Sequence, residues 1–179
     1  AFVTIEQLGD VVRLLKRGKA AGLSGMTYEH VVAAVTGSDE GMAVLLELVN
    51  LMLAGTLPHI PELTDCRLVA VRKPTSGVRP IAIGEVLMRI ASLCALASCP
   101  GAGFDLAPVQ LGVGVSGGSE AMGHALRAAI AAEPDAVIVQ VDFENAFNTP
   151  FRSELISATR ARTPSLARAP RGDGRLTIT

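Results

Sequence analysis

Residues 137–148 read VIVQVDFENAFN. A run rich in β-branched residues delivers Asp142 at its end, and a turn and the apolar pair Ala146 and Phe147 follow. Apolar character at every position but Gln140, without alternation, is close to how a strand reads when both of its faces are covered, so Val137 to Val141 is expected to be a buried strand. A carboxylate at the end of such a strand holds its oxygens on a rigid element, which suits metal-assisted chemistry. Asp142 is therefore the leading candidate for a metal ligand. Taken in isolation, the same residue also fits a turn aspartate that bonds its own backbone.

Composition limits what can surround that strand. The chain of 179 residues is long enough for one ordinary domain, and 49% hydrophobic content argues for a packed core and against disorder. Sixteen basic residues against 17 acidic ones give a formal net charge of -1, so no global basic field marks a nucleic-acid binder. Any such binding has to be local, and basic residues do gather in 67–79 and 152–175. Cys66, Cys94 and Cys99 are odd in number and lack paired metal-ligand spacing, which favours reduced thiols in an intracellular protein. The opening AFVTIEQLGD has no basic stretch and no long apolar run, so no secretory signal is expected there, and the absence of an initial Met suggests a fragment. The most apolar interval, Val86 to Ala97, is interrupted by Arg89 and is too short to span a bilayer.

Local signals divide the chain into elements. Thr4 and Gln7 stand in capping-box relation ahead of Leu8, Val11, Val12, Leu14 and Leu15, which predicts a helix ending before Gly18. GKAAGLSG, residues 18–25, is a loop; no GK[ST] follows it, so it is not a phosphate-binding loop. Thr27 opens a second helix in which Tyr28 is a packing anchor, and Ser38 or Asp39 opens a third. That third helix carries an apolar stripe of Met42, Val44, Leu45, Leu48, Val49, Leu51, Met52 and Leu53, and Gly55 ends it. Leu57-Pro58 and Ile60-Pro61 predict an extended connection. Cys66 to Arg72 and Val78 to Ile83 read as two strands joined by the turn residues 74–77, a hairpin with a basic tip.

Glu85 to Ser98 is an apolar helix, and PGAG breaks it. Gln110 to Gly118 is a Gly-rich extended loop, and Ser119 is the expected cap of a helix whose Ala121, Met122, Ala125, Leu126 and Ile130 can face a core. After the strand at 137–141, a last helix begins beyond Pro150, and the Pro- and Arg-rich tail from Pro164 has weak periodicity. His30, His59 and His124 share no spacing suited to zinc and are taken as structural or solvated.

Four blocks in this order, GKAAGLSGMTYEHV, LVAVRKPTSGVRPIAIGEVLMRI, QLGVGVSGGSEAMGHALR and VQVDFENAFN, resemble the reverse transcriptase domain of non-LTR retrotransposons and group II intron-like elements. The resemblance covers residues 18–164. It implies an α+β fold: a helix-rich fingers region with a β-hairpin in 1–134, the start of a palm sheet in 135–163, and a divergent tail in 164–179. In that family the hairpin tip contacts the incoming nucleoside triphosphate, and Lys73 and Arg79 occupy the matching places. A flexible ammonium and a guanidinium fork on a tight turn can fold over a polyphosphate and offset its charge. Read without the resemblance, both are solvated charges at an exposed turn.

Asp142 matches the family's first palm aspartate, a ligand of both Mg²⁺ ions, and the main-chain carbonyl of Phe143 matches a further oxygen ligand. Two metals about 3.5–4 Å apart stabilise the attacking hydroxylate and the leaving pyrophosphate oxygens together. Phe147 matches the aromatic that excludes a 2′-hydroxyl by occupying its volume, and Gln110 with Gly112, Gly114, Gly117 and Gly118 matches a block that passes near the template and the nucleotide. Glu144 falls where the family pattern is variable and is not a ligand.

The departures from the family are equally informative. Its second palm block, a [FY]-x-D-D hairpin, is absent, because no adjacent pair of aspartates occurs and the one Asp after Asp142 is Asp173 in RGDGR. Palm and thumb segments that would complete the enzyme are missing as well. The expectation is therefore a fragment of an RNA-directed DNA polymerase, with RNA template, DNA primer and deoxynucleoside triphosphates as partners, Mg²⁺ as cofactor, no membrane, and no activity on its own. The alternative is a non-catalytic nucleic-acid-binding module or a degenerate remnant of such an element. An element that copies itself into chromosomal DNA implies an intracellular, nuclear site of action. A lone palm strand would expose pairing edges, so low stability is also expected.

Overall fold

A computed structural model describes residues 3–58, 60–74, 76–99, 109–113, 115–143, 146, 149–164 and 166. Among these, seven helices and one two-stranded antiparallel sheet make an α+β fold. The described residues fall into two compact units, 3–99 and 109–166.

The first unit is built from local caps and one shared core. Helix α1 (Ile5–Leu14) starts where expected: Thr4 Oγ accepts the Gln7 N–H at 3.2 Å, and Gln7 Oε1 accepts the Thr4 N–H at 2.9 Å. Val3 and Leu8, the residues flanking that box on the apolar side, are both fully buried and stand at the positions of a hydrophobic staple. Asn50 of α3 (Asp39–Ala54) holds the same point from across the core, accepting the Val3 N–H at 2.9 Å and donating to its carbonyl at 3.1 Å. Helix α2 (Tyr28–Thr36) begins after Thr27, whose N–H donates to His30 Nδ1 at 3.2 Å. His30 is thus structural.

Helix α3 is capped by Ser38, whose hydroxyl accepts the Gly41 N–H, and closed by Gly55 in the left-handed region at φ 62°. Its apolar stripe is narrower than the sequence implied. Leu45 and Val49 are buried, and Met42, Leu46, Met52 and Leu53 pack against the core, but Val44 and Leu51 are exposed. At 3.6 residues per turn a set of eight apolar positions in this helix spans more than one face, and one face alone can meet the core. Proline at 61 opens a short helix α4 (Pro61–Thr64) where an extended connection was expected, because a missing N–H costs nothing at the first helical position. Helix α5 (Val86–Ala97) buries Val86, Ile90, Ala91 and Cys94 against α1 and α3.

Strands β1 (Arg67–Arg72) and β2 (Val78–Ile83) form the expected hairpin, paired from Arg67 with Ile83 to Arg72 with Val78. All but Val69 and Ile83 are exposed along it, so the hairpin projects from the unit and only its base is sheltered.

The second unit corrects three expectations. Helix α6 (Gly118–Ala132) is preceded by Gly117 at φ 67° as its cap, with no side-chain bond, so Ser119 lies inside the first turn and caps nothing. Gly118 is the one buried residue of α6, and a Cβ there would collide with the Leu111 carbonyl; Met122, Leu126 and Ile130 are exposed. The segment 137–141 belongs to no strand or helix, with Val137 85% and Val139 76% exposed. A largely apolar run is a strand only when neighbours take up its backbone groups and cover its faces, and none of the described residues does so. Helix α7 (Arg152–Arg162) lies where expected. Residues 167–179 of the tail, like His59, lie outside the described residues.

Candidate functional site

The hairpin register decides where its cations stand. Side chains of directly paired residues share a face, and alternate residues along each strand join them. Val71 is opposite Arg79. The Lys73 N–H donates to the Gly77 carbonyl at 3.0 Å, which carries the same register one step into the turn. Lys73 is therefore on the face of Val71 and is the diagonal neighbour of Arg79, a separation that long side chains bridge. Gly77, at φ 88°, closes the turn in a conformation that costs other residues strain. Lys73 and Arg79 are both exposed, and neither has an ion-pair partner among the described residues; Arg13 with Asp10 is the pair found there.

A polar clamp ties the root of this hairpin to the loop at 18–25. Glu85, the residue before α5, is 3% exposed, and its two carboxylate oxygens accept the Ser24 N–H at 2.8 Å and the Ser24 hydroxyl at 2.7 Å. Burial pushes this carboxyl up, but bonds from Ser24 and from the amides of Leu23 and Val86 outweigh it, and the net result lies below the ordinary value. One turn along α5, the Arg89 guanidinium donates to the Ala20 carbonyl at 2.8 Å and lies 4.9 Å from the Tyr28 ring centre. At the loop's start the Gly18 N–H donates to Glu29 at 2.6 Å, which lowers that carboxyl's pKa. Gly22 admits no side chain, because a Cβ there would run into Glu85.

Sequence reasoning missed Glu85 and Arg89. Arg89 had left a signal: a single charge inside an otherwise apolar helix demands a partner once that helix is buried.

The remaining candidates stand in the second unit. Asp142 is exposed at the end of this unpaired segment instead of ending a buried strand, and Phe143 is 76% exposed. Phe147 and Glu144 lie outside the described residues. Gln110 spends its amide locally, accepting the Val113 N–H at 2.5 Å and donating to the Val113 carbonyl at 3.0 Å. Among the described residues no three His, Cys, Asp or Glu side chains come together. A lone carboxylate does not supply the donor set of a two-metal centre, so the described residues do not fit Mg²⁺ catalysis by themselves. No described helix is long and apolar enough to cross a membrane. No protein-family model matches the chain, and no curated protein matches it.

Proposed function

We propose that the chain is the fingers and opening palm segment of a right-hand RNA-directed DNA polymerase of the non-LTR retroelement type. Template-directed deoxynucleotidyl transfer belongs to the complete enzyme, and these residues alone do not perform it. The observation that carries the reading is the pair Lys73 and Arg79, side by side on one face of a projecting turn and free of described counter-ions. A triphosphate presents three linked anionic groups, and a mobile ammonium beside a planar guanidinium fork can hold it without first breaking an internal ion pair. The four sequence blocks in family order support the same reading. Asp142 is the metal ligand this reading assigns, with the Phe143 carbonyl beside it, and further carboxylates are required before Mg²⁺ could bind productively. RNA template, DNA primer and deoxynucleoside triphosphates are its partners, and the nucleus its site of action.

The test is primer extension on an RNA template, run with this chain and with the chain extended by the coding sequence that follows Thr179. The expected result is no incorporation by the first and incorporation by the second that is lost on Asp142→Ala. An extended protein that never incorporates nucleotides, yet binds RNA in a salt-sensitive manner, would replace the polymerase with a nucleic-acid-binding module.

A further inference from the structure

The two edges of the hairpin are not equivalent. Bonded and non-bonded pairs alternate along an antiparallel ladder. The Lys73 to Gly77 bond, with the register, makes Val71 and Arg79, Val69 and Ile81, and Arg67 and Ile83 the bonded pairs. Val78, Pro80 and Ala82 of β2 therefore turn their backbone groups outward, as do Leu68, Ala70 and Arg72 of β1. Pro80 has no N–H, so the β2 edge is interrupted at its middle, a usual means of blunting an exposed strand. The β1 edge has no such interruption. Its three residues keep both donor and acceptor, none of which bonds another described residue, and all three are exposed. An edge of this kind is a template for strand addition.

Charge selects the occupant. In the fullest antiparallel register, centred on Ala70, a second copy of β1 would set Arg67 against Lys73 at both ends, and like charges directly opposite are destabilising. Acidic residues at those places would instead pair with Arg67 and with Lys73, while apolar residues between them meet Leu68, Val69, Ala70 and Val71. Single-stranded RNA could neutralise the cations but cannot complete a ladder on peptide groups. We propose that the outer edge of β1 docks an extended segment of a partner protein, apolar at its centre and acidic at both ends, by adding it as a third strand.

The experiment uses a labelled, end-capped peptide, Glu-Val-Thr-Val-Thr-Val-Glu, and its lysine-ended counterpart, with binding read by fluorescence anisotropy. The acidic peptide should bind and the lysine-ended one should not. Ala70→Pro removes one outward donor without taking a bond from the hairpin and should weaken binding about tenfold or more. Ala82→Pro, the same change on the β2 edge, should leave the affinity as it was. Should Ala70→Pro fail to fold, the double variant Arg67→Glu/Lys73→Glu carries the test by transferring preference to the lysine-ended peptide. Added acidic peptide should also slow hydrogen exchange at Leu68, Ala70 and Arg72. Equal binding of the two peptides, or unchanged exchange at those amides, would overturn the docking edge. So would self-association abolished by Ala70→Pro, or displacement of the peptide by RNA with no sensitivity to Ala70→Pro.

Discussion

Ser24 gives both its backbone N–H and its hydroxyl to Glu85, at 2.8 and 2.7 Å, so one buried carboxylate holds a loop 61 positions earlier in the chain to the root of the hairpin. Through that contact the loop at 18–25 and the strand that carries Arg79 share one anchor.

Replacing Glu85 should therefore loosen the first unit. Hydrogen bonds to a charged group contribute about 1.5–3 kcal/mol each, so Glu85→Ala should cost about 2–4 kcal/mol after relaxation, and Glu85→Gln less, since an amide oxygen can still accept one bond. Urea unfolding of the variants measures both. Equal losses for Ala and Gln would mean that charge, and not the bonded geometry, matters.

The same residue sets an acid limit. Its folded pKa lies below the ordinary 4.5, so its stabilising contribution is complete above that value and is lost as pH falls through the depressed folded pKa. Thermal midpoints should decline more steeply below pH 4.5 in the parent than in Glu85→Gln. Parallel curves would assign acid sensitivity to other carboxylates.

Gly22→Ala should be destabilising by about 1–3 kcal/mol, because the added methyl meets Glu85 down to its Cα at 3.0 Å and the backbone there cannot yield as a flexible chain end would. Ala at Gly37, where nothing lies within 4 Å, is the control and should change stability little.

Lys73→Glu and Arg79→Glu should leave the unfolding free energy within about 0.5 kcal/mol of the parent, since both residues are exposed and neither has an ion-pair partner among the described residues. Each should weaken deoxynucleoside triphosphate binding, measured by displacement of a fluorescent analogue in low salt. Loss of stability without loss of binding would remove both residues from the proposed site.

The cysteines should separate by reactivity. Burial pushes the Cys94 thiol up to about 11, whereas Cys66 is exposed at the start of β1. A colorimetric thiol reagent at neutral pH should label Cys66 quickly and Cys94 only on unfolding. Early labelling of Cys94 would show that the α1, α3 and α5 core opens.

Signals with partners three or four residues away were legible without a structure. The Thr4 and Gln7 box, the Ser38 cap, the Gly55 stop and the hairpin around 74–77 are each decided by residues that touch within one turn. The exposure of 137–141 was not legible, although its composition is the most strand-like in the chain. A helix satisfies its own backbone, while a strand needs another strand, and nothing inside VIVQV says whether one is present. The apolar face of α6 misled for the same reason: periodicity shows which residues share a side, not what covers it.

The chain's order of residues thus determined its longer helices, the caps at Thr4, Ser38 and Gly55, and the hairpin whose turn sets Lys73 beside Arg79. Tertiary structure alone decided that Glu85 and Arg89 reach back to Ser24 and Ala20, that β1 keeps an open edge while Pro80 closes the other, and that Asp142 stands in solvent. These depend on contacts between residues distant in the chain, whose cost in ordering is repaid only by the particular surfaces that meet.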